Sequence, residues 1–186
     1  GRGCKFPCEF CAVQTFFERT ARQRPVDAIV SELRELKKRH KLFFFVDDNF
    51  AASLKYAKEL VLAVVEVKAR WVTQMSTNAA HDEEFLATLS RSGCQGVLIG
   101  FESLDDEVLK SMRKNFNTMR GGFEVALANL PRHNIRVYGT FVFGYDGDKP
   151  GSAAQAAEFS IAHNFYLAAF NHLTPFPGTP LYQRLQ

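Results

Sequence analysis

Three of the four cysteines are crowded into residues 4–11, in the spacing C-x3-C-x2-C. From a short loop, Cys4, Cys8 and Cys11 can direct their thiolates at one centre, and thiolates are ligands for zinc and for iron–sulfur clusters. A secreted disulfide scaffold would contain more cysteine and would not place three thiols at one end of a domain of 186 residues. The spacing therefore indicates a metal or cluster site in a reducing compartment.

Two kinds of centre are compatible with these thiols. A structural zinc site usually has four ligands, often as two pairs, but the sequence has no second CxxC pair and the nearest histidine is His40. Cys94 could serve as a fourth ligand, yet it lies just before a predicted strand, which favours a buried small apolar residue. A [4Fe–4S] cluster on three thiolates would keep one iron open to another ligand. An open coordination position is generally typical of a catalytic metal site. Both centres stay open on spacing alone.

Apolar segments that alternate with helical periodicities must position this loop. The predicted strands are residues 42–46, 71–75, 96–101, 137–143 and 167–173. Segment 42–46 is apolar throughout, which predicts a strand covered on both faces. The strand–helix alternation with short connections predicts a parallel sheet with right-handed crossovers.

Polar residues follow each predicted strand at its carboxyl end. They lie at residues 47–49, 76–78, 102–103, 145–148 and 174–175. Loops are polar in any protein, but barrel enzymes build their sites from these same strand-to-helix loops. The pattern therefore predicts a functional site at the carboxyl edge of the sheet.

Length and charge limit the number of domains and the kinds of partner that the chain can have. The 186 residues suffice for one compact domain, here residues 1–186, which we interpret as part of a longer chain. A net charge of +3 gives no support for a nucleic-acid partner. No apolar run approaches the roughly 18 residues of a spanning helix, so we expect no membrane span. The clustered thiols favour a reducing, cytoplasmic location.

Several motifs in order resemble those of one known family. The cysteine motif carries an aromatic residue, Phe10, directly before its last cysteine. The other motifs are residues 24–26, 45–50, 100–104, 141–145 and 174–182. Together they resemble the core domain of the radical S-adenosylmethionine (SAM) superfamily, in the branch whose members often carry a cobalamin-binding domain. The resemblance extends over essentially all 186 residues.

The resemblance implies a fold and a chemistry. The fold is a partial (β/α)6 TIM-like barrel with its first strand truncated. The chemistry is a [4Fe–4S] cluster that reductively cleaves SAM to a 5′-deoxyadenosyl radical, which acts on a small-molecule substrate. Cobalamin-dependent methyl transfer, through a domain outside these residues, is one reaction; radical rearrangement, cyclisation or oxidation is the alternative. A flavodoxin or ferredoxin would donate the electron. A non-catalytic zinc module is the rival from another class.

The resemblance also implies roles for particular residues. Cys4, Cys8 and Cys11 would bind the cluster, and the SAM contacts would be Phe10, Asp48, Asn49, Glu102, Ser103, Gly144 and Pro175. Glu102 would accept the ribose hydroxyls, with a surface salt bridge as its alternative role. Asn49 and Asp48 would meet the amino group of SAM, although the stretch is acidic here rather than glycine-rich. A helix cap is the alternative for Asn49 and for Ser103. No general acid or base is assigned.

Overall fold

A five-stranded parallel sheet, in the order β1-β2-β3-β4-β5, forms the centre of the molecule. The computed structural model describes residues 1–186 except the side chain of Arg120. The strands are β1 Phe43–Phe45, β2 Trp71–Gln74, β3 Cys94–Glu102, β4 Arg136–Phe143 and β5 Leu167–His172. Each strand pairs with the next in parallel, which confirms the α/β fold predicted from the alternation of segments.

The described residues include eight α-helices, of which two precede β1 and the others connect or follow the strands. They are α1 Ala12–Phe16, α2 Val26–Leu36, α3 Leu54–Val65, α4 Glu83–Arg91, α5 Asp106–Ser111, α6 Gly122–Arg132, α7 Ser152–Ala162 and α8 Pro180–Leu185. Short 3-10 turns occur at Thr77–His81, Asn115–Asn117 and Met119–Gly121. Ser53 begins α3 by accepting a hydrogen bond from the Tyr56 amide at 3.4 Å, as N-cap residues do. No described helix has the length and apolarity needed to cross a bilayer.

The main core lies between the sheet and the helices. Its largest members are aromatic and have almost no exposed surface: Trp71, Phe85, Phe101 and Phe141. Burying each such side chain stabilises the fold by about 1.5–3 kcal/mol. Trp71 also donates a hydrogen bond to the Ser92 carbonyl at 2.9 Å, so its polar atom is satisfied inside the core.

The opposite, concave face of the sheet has no helix layer among the described residues. Phe44 is 53% exposed and Val46 is 75% exposed, so the prediction that segment 42–46 is covered on both faces is wrong here. The physical reason is that the helices of the main core pack on the other face of the sheet, and the concave face forms the inner wall of the partial barrel. Along β2, Val72 and Gln74 point to this wall, while Trp71 and Thr73 are buried in the core side.

Candidate functional site

One pocket at the carboxyl edge of the sheet contains all three clustered cysteines. Its wall is formed by Cys4, Phe6, Cys8, Phe10, Cys11, Val13, Asp48, Asn49, Gln74, Met75, Ser76, Leu98, Gly100, Glu102, Lys114, Phe116 and Thr140. Residues 4–11, which we name the cysteine loop, turn through a hydrogen bond from the Cys11 amide to the Cys8 carbonyl at 3.1 Å. Helix α1 begins directly after Cys11. The loop thus faces the ends of β1 to β4, where a site was predicted.

Asp48, which follows β1, holds the start of the cysteine loop. Its Oδ2 accepts a hydrogen bond from the Gly3 amide at 2.6 Å. The carboxylate therefore fixes the backbone one residue before Cys4. Asp48 also lines the pocket, and its contact with SAM stays a prediction.

Asn49 joins the ends of β1 and β2 beside the first cysteine. Its Oδ1 accepts from the Ala51 amide at 3.2 Å and the Ser76 amide at 3.3 Å, and its Nδ2 donates to Ser76 Oγ at 3.1 Å. Nδ2 also lies 3.8 Å from Cys4 Sγ. The alternative of a helix cap is wrong for Asn49, because Ser53 caps the following helix. A direct contact with SAM stays a prediction.

Glu102 forms a buried ion pair at the rim of the pocket. Its Oε1 lies 2.5 Å from Lys114 Nζ, and both side chains are only 10% exposed. The alternative of a surface salt bridge is therefore wrong. Glu102 has a φ of 66°, in the left-handed region, where a non-glycine residue carries strain, and the β3–β4 register shifts between Gly100 and Glu102. This bulge turns the carboxylate toward the pocket.

Two residues that sequence reasoning missed support this rim. The Lys114 ammonium also donates to the Gly100 carbonyl at 2.7 Å, and the fully buried Asn117 donates to the Gly100 and Phe101 carbonyls at 3.1 and 3.3 Å. Thr77 in turn holds Asn117, because its hydroxyl donates a hydrogen bond to Asn117 Oδ1 at 3.1 Å. Lys114 and Asn117 lie in an aperiodic segment after α5, so only the three-dimensional path of the chain reveals them.

Burial favours the protonated form of two of the clustered thiols, Cys8 and Cys11, in the absence of a metal. Burial raises the pKa of Cys8 from 9.0 to about 12, although the Lys114 ammonium acts in the opposite direction. Burial also raises the pKa of Cys11, where backbone amides of Val13 and Gln14 oppose the effect. Cys4 and Cys11 both raise the pKa of Cys8 through charge repulsion, so the three sulfurs interact electrostatically. A bound cation would favour their thiolates and release protons.

The remaining predicted residues have different surroundings. Phe10 lines the pocket and packs on a small apolar cluster that includes Met112. Ser103 is buried beside a separate hollow, where its Oγ accepts from the Asp105 amide at 3.1 Å, and Asp105 rather than Ser103 caps α5. The Gly144 amide donates to Asp148 Oδ2 at 2.6 Å. Pro175 is exposed. The SAM contacts assigned to Ser103, Gly144 and Pro175 stay predictions.

The donor chemistry of the pocket suits an iron–sulfur cluster. Three thiols share one cavity, an amide donor faces one sulfur, and the Lys114 cation can offset thiolate charge. Within the described residues, no three His, Cys, Asp or Glu side chains are grouped closely enough to hold a single metal ion. Cys94 is 2% exposed at the amino end of β3, away from the pocket, as predicted for a small apolar residue.

These features define an α/β protein with a parallel sheet and a cysteine-lined pocket at the carboxyl ends of its strands. Residues 1–159 match the model of the Radical SAM superfamily. The chain therefore belongs to the radical SAM superfamily, and the family expected from the motifs is confirmed.

Curated relatives include two methyltransferases. Bacteriochlorophyllide d C-12(1)-methyltransferase of Chlorobaculum tepidum is 34% identical across 100% of this chain and 41% of its own length. Hopanoid C-2 methylase of Rhodopseudomonas palustris is 29% identical across 99% of this chain and 36% of its own length. The chain thus spans about two fifths of the length of these relatives.

A solved structure supports the fold. TsrM from Kitasatospora setae, a radical S-adenosylmethionine methyltransferase with cobalamin and a [4Fe-4S] cluster bound, superposes with a TM-score of 0.81 at 22% identity. The match covers 96% of this chain and 37% of that chain. The predicted barrel-like fold of the radical SAM type is therefore confirmed.

Proposed function

We propose that the chain is the core of a radical SAM enzyme in which Cys4, Cys8 and Cys11 bind a [4Fe–4S] cluster. The observation that carries the proposal is the shared pocket of the three thiols, with Lys114 and Glu102 at its rim. When bound, such a cluster supplies the electron that cleaves SAM to methionine and a 5′-deoxyadenosyl radical, which acts on a small-molecule substrate. Free thiols throughout the chain are compatible with a cytoplasmic enzyme that accepts electrons from a flavodoxin or ferredoxin.

The charged rim suits the two ends of SAM. The Lys114 ammonium would pair with the carboxylate of the methionine part, because a buried cation attracts a carboxylate strongly. Asp48 Oδ2 already accepts from the Gly3 amide, which leaves Oδ1 for the amino group. Glu102 would accept hydrogen bonds from the ribose hydroxyls through the oxygen that Lys114 does not use. Phe10 would offer a face to the adenine.

The pocket also limits solvent access. Phe6 stacks on Phe116 with ring centroids 3.9 Å apart, and both rings line the pocket beside the thiols. Apolar walls exclude water and strengthen electrostatic interactions inside a site. A pocket wall that excludes water would protect a reactive radical from side reactions with solvent.

Anaerobic reconstitution of the full-length protein tests the cluster. We expect a brown protein with about four irons and four sulfides per chain, and an electron paramagnetic resonance signal that changes when SAM is added. Cys8→Ala should lose the cluster, whereas the matched variant Cys94→Ala should keep it. A colourless protein with stoichiometric zinc, or a Cys8→Ala variant with its full cluster, would contradict the proposal.

Within this class we propose cobalamin-assisted methyl transfer. The two relatives described above are named as a methyltransferase and a methylase, and the structural neighbour contains cobalamin. Product analysis with the full-length protein and cobalamin tests this step. S-adenosylhomocysteine formed together with 5′-deoxyadenosine supports methyl transfer, whereas 5′-deoxyadenosine alone favours rearrangement, cyclisation or oxidation.

A further inference from the structure

A buried carboxylate lies inside the cysteine loop, between Cys8 and Phe10. The Glu9 side chain is only 9% exposed, and its Oε1 accepts a hydrogen bond from Arg184 Nε at 2.9 Å. Its Oε2 accepts a hydrogen bond from the Tyr145 hydroxyl. The loop residue next to a predicted cluster ligand is thus held by two side chains that come from distant parts of the sequence.

The backbone of Glu9 is held as well. Its amide donates to the Met112 carbonyl at 3.0 Å, and its carbonyl accepts from the Leu181 amide at 3.2 Å. Glu9 is therefore connected to three separate segments: the end of α5, the loop after β4 and the helix α8. We name Glu9, Tyr145 and Arg184 the Glu9 clasp.

The partners of Glu9 are themselves fixed. Tyr145 is 3% exposed, and its hydroxyl also lies 3.1 Å from the Ser111 carbonyl. The Arg184 guanidinium lies over the Tyr145 ring, 5.6 Å from its centroid, and pairs with Asp146. Beneath them a small apolar cluster joins the segments: Val108, Met112, Tyr145 and Leu181, with Phe10 and Leu173 packed against it.

An apolar residue would fill this position without the cost of burying a charge, which is several kcal/mol for an unpaired ion. Charge-assisted hydrogen bonds differ from apolar contacts because they are short and directional, and they fix one geometry. The carboxylate therefore holds the loop in a defined orientation, and it does so one residue from Cys8.

We propose that the Glu9 clasp positions the cysteine loop, so that helix α8 determines how Cys8 and Phe10 are presented to the cluster and to SAM. This inference rests on the proposed function, because it concerns the cluster that the loop would bind. Glu9, Tyr145 and Arg184 act through the loop and are positioning residues. Residues around a metal site that orient its ligands typically change metal affinity by about 10–100-fold when they are removed.

The test compares the reconstituted full-length protein with Glu9→Gln, Tyr145→Phe and Arg184→Met. We expect iron release to a chelator to be at least about tenfold faster in Glu9→Gln and Arg184→Met, with a shifted cluster midpoint potential and an altered resonance spectrum in the presence of SAM. Arg184→Lys keeps the positive charge, so it should release iron at a rate between those of the wild type and of Arg184→Met. The matched control is Arg132→Met, which breaks the exposed pair of Arg132 with Glu83 at 3.8 Å.

The outcomes separate the two proposals. A wild-type protein without a cluster contradicts the proposed function itself. A wild-type cluster accompanied by unchanged iron release, potential and spectrum in the variants overturns the clasp, even if their melting temperatures fall. Tyr145→Phe removes a single hydroxyl, so it provides the answer if the other variants do not fold. A double variant, Glu9→Gln with Arg184→Met, should lose little more than either single variant, because the two residues act together.

Discussion

Lys114 and Glu102 form an ion pair of 2.5 Å in which each side chain is only 10% exposed. The two residues come from different elements, since Glu102 ends β3 and Lys114 follows α5. Lys114 is also the cation that opposes the effect of burial on the Cys8 thiol. The pair therefore links the rim of the pocket to the cysteine loop by charge.

Lys114→Met should destabilise the cluster-free protein because the buried Glu102 carboxylate loses its cation. We expect the free energy of unfolding at pH 7 to fall by about 3–5 kcal/mol, measured by urea denaturation. Adding Glu102→Gln should recover part of the stability but not the affinity for SAM. Lys149→Met, at an exposed pair with Asp105, is the control and should change stability far less. Equal losses at both pairs would show that burial is not the cause.

Gly100→Ala should weaken SAM binding while the fold is kept. A Cβ at residue 100 would lie 2.1 Å from Glu102 Oε1 and 2.7 Å from Lys114 Nζ, so both side-chain ends, which line the pocket, must shift. We expect the dissociation constant for SAM to rise at least about tenfold, equivalent to roughly 1.4 kcal/mol, by calorimetric titration of the reconstituted protein.

The matched variant for Gly100→Ala is Gly96→Ala, on the same strand. There a Cβ would meet the Arg136 backbone oxygen at 2.9 Å, and a backbone atom cannot move aside easily. Gly96→Ala should therefore lower the melting temperature more than Gly100→Ala does. Unchanged SAM affinity in Gly100→Ala would argue against a ligand at this rim.

Local signals in the sequence were sufficient for the sheet and for the cysteine loop. Apolar runs predicted all five strands; β2, β3 and β4 bury one face, whereas β1 and β5 are apolar in sequence without any fully buried residue. The Glu102 carboxylate could be placed at a strand end by position alone. Thiol spacing predicted the shared pocket because the three cysteines are close in sequence. These features depend on neighbours within a few residues.

Features that depend on distant segments could not be predicted in this way. Lys114 follows α5 without any periodic pattern, and Glu9 meets Arg184, which lies at the other end of the chain. Ser103 was predicted to contact SAM, with a helix cap as its alternative role, whereas the structure gives the cap to Asp105. The exposure of Phe44 followed from which face the helices cover, which the strand composition does not encode.

Asn49→Ala should destabilise the link between the ends of β1 and β2. The change removes the acceptor of the Ala51 and Ser76 amides, and an unsatisfied buried amide costs about 1–3 kcal/mol. We expect the free energy of unfolding of the cluster-free protein to fall by about 2–3 kcal/mol. Asn115→Ala, at an exposed side chain, should change it by less than about 0.5 kcal/mol.

Asn49→Asp separates the stability of this link from its effect on the cysteine. An aspartate retains the acceptors for both amides but places a negative charge where Nδ2 lies 3.8 Å from Cys4 Sγ. Cluster content after reconstitution should therefore fall, although most of the stability is kept. Full iron content in Asn49→Asp would mean that the amide does not contribute to the sulfur environment.

Cys94 should make stability depend on pH in the alkaline range. Burial raises its pKa from 9.0 to about 12, so the folded state keeps its proton while the unfolded state loses it. The stability from this thiol is complete below pH 9 and is lost as the pH rises from 9 to about 12. Between pH 8 and pH 10 the wild type should lose about 1.4 kcal/mol relative to Cys94→Ala, by urea denaturation of the cluster-free protein. The same slope in both proteins would show that the thiol titrates alike in the folded and unfolded states.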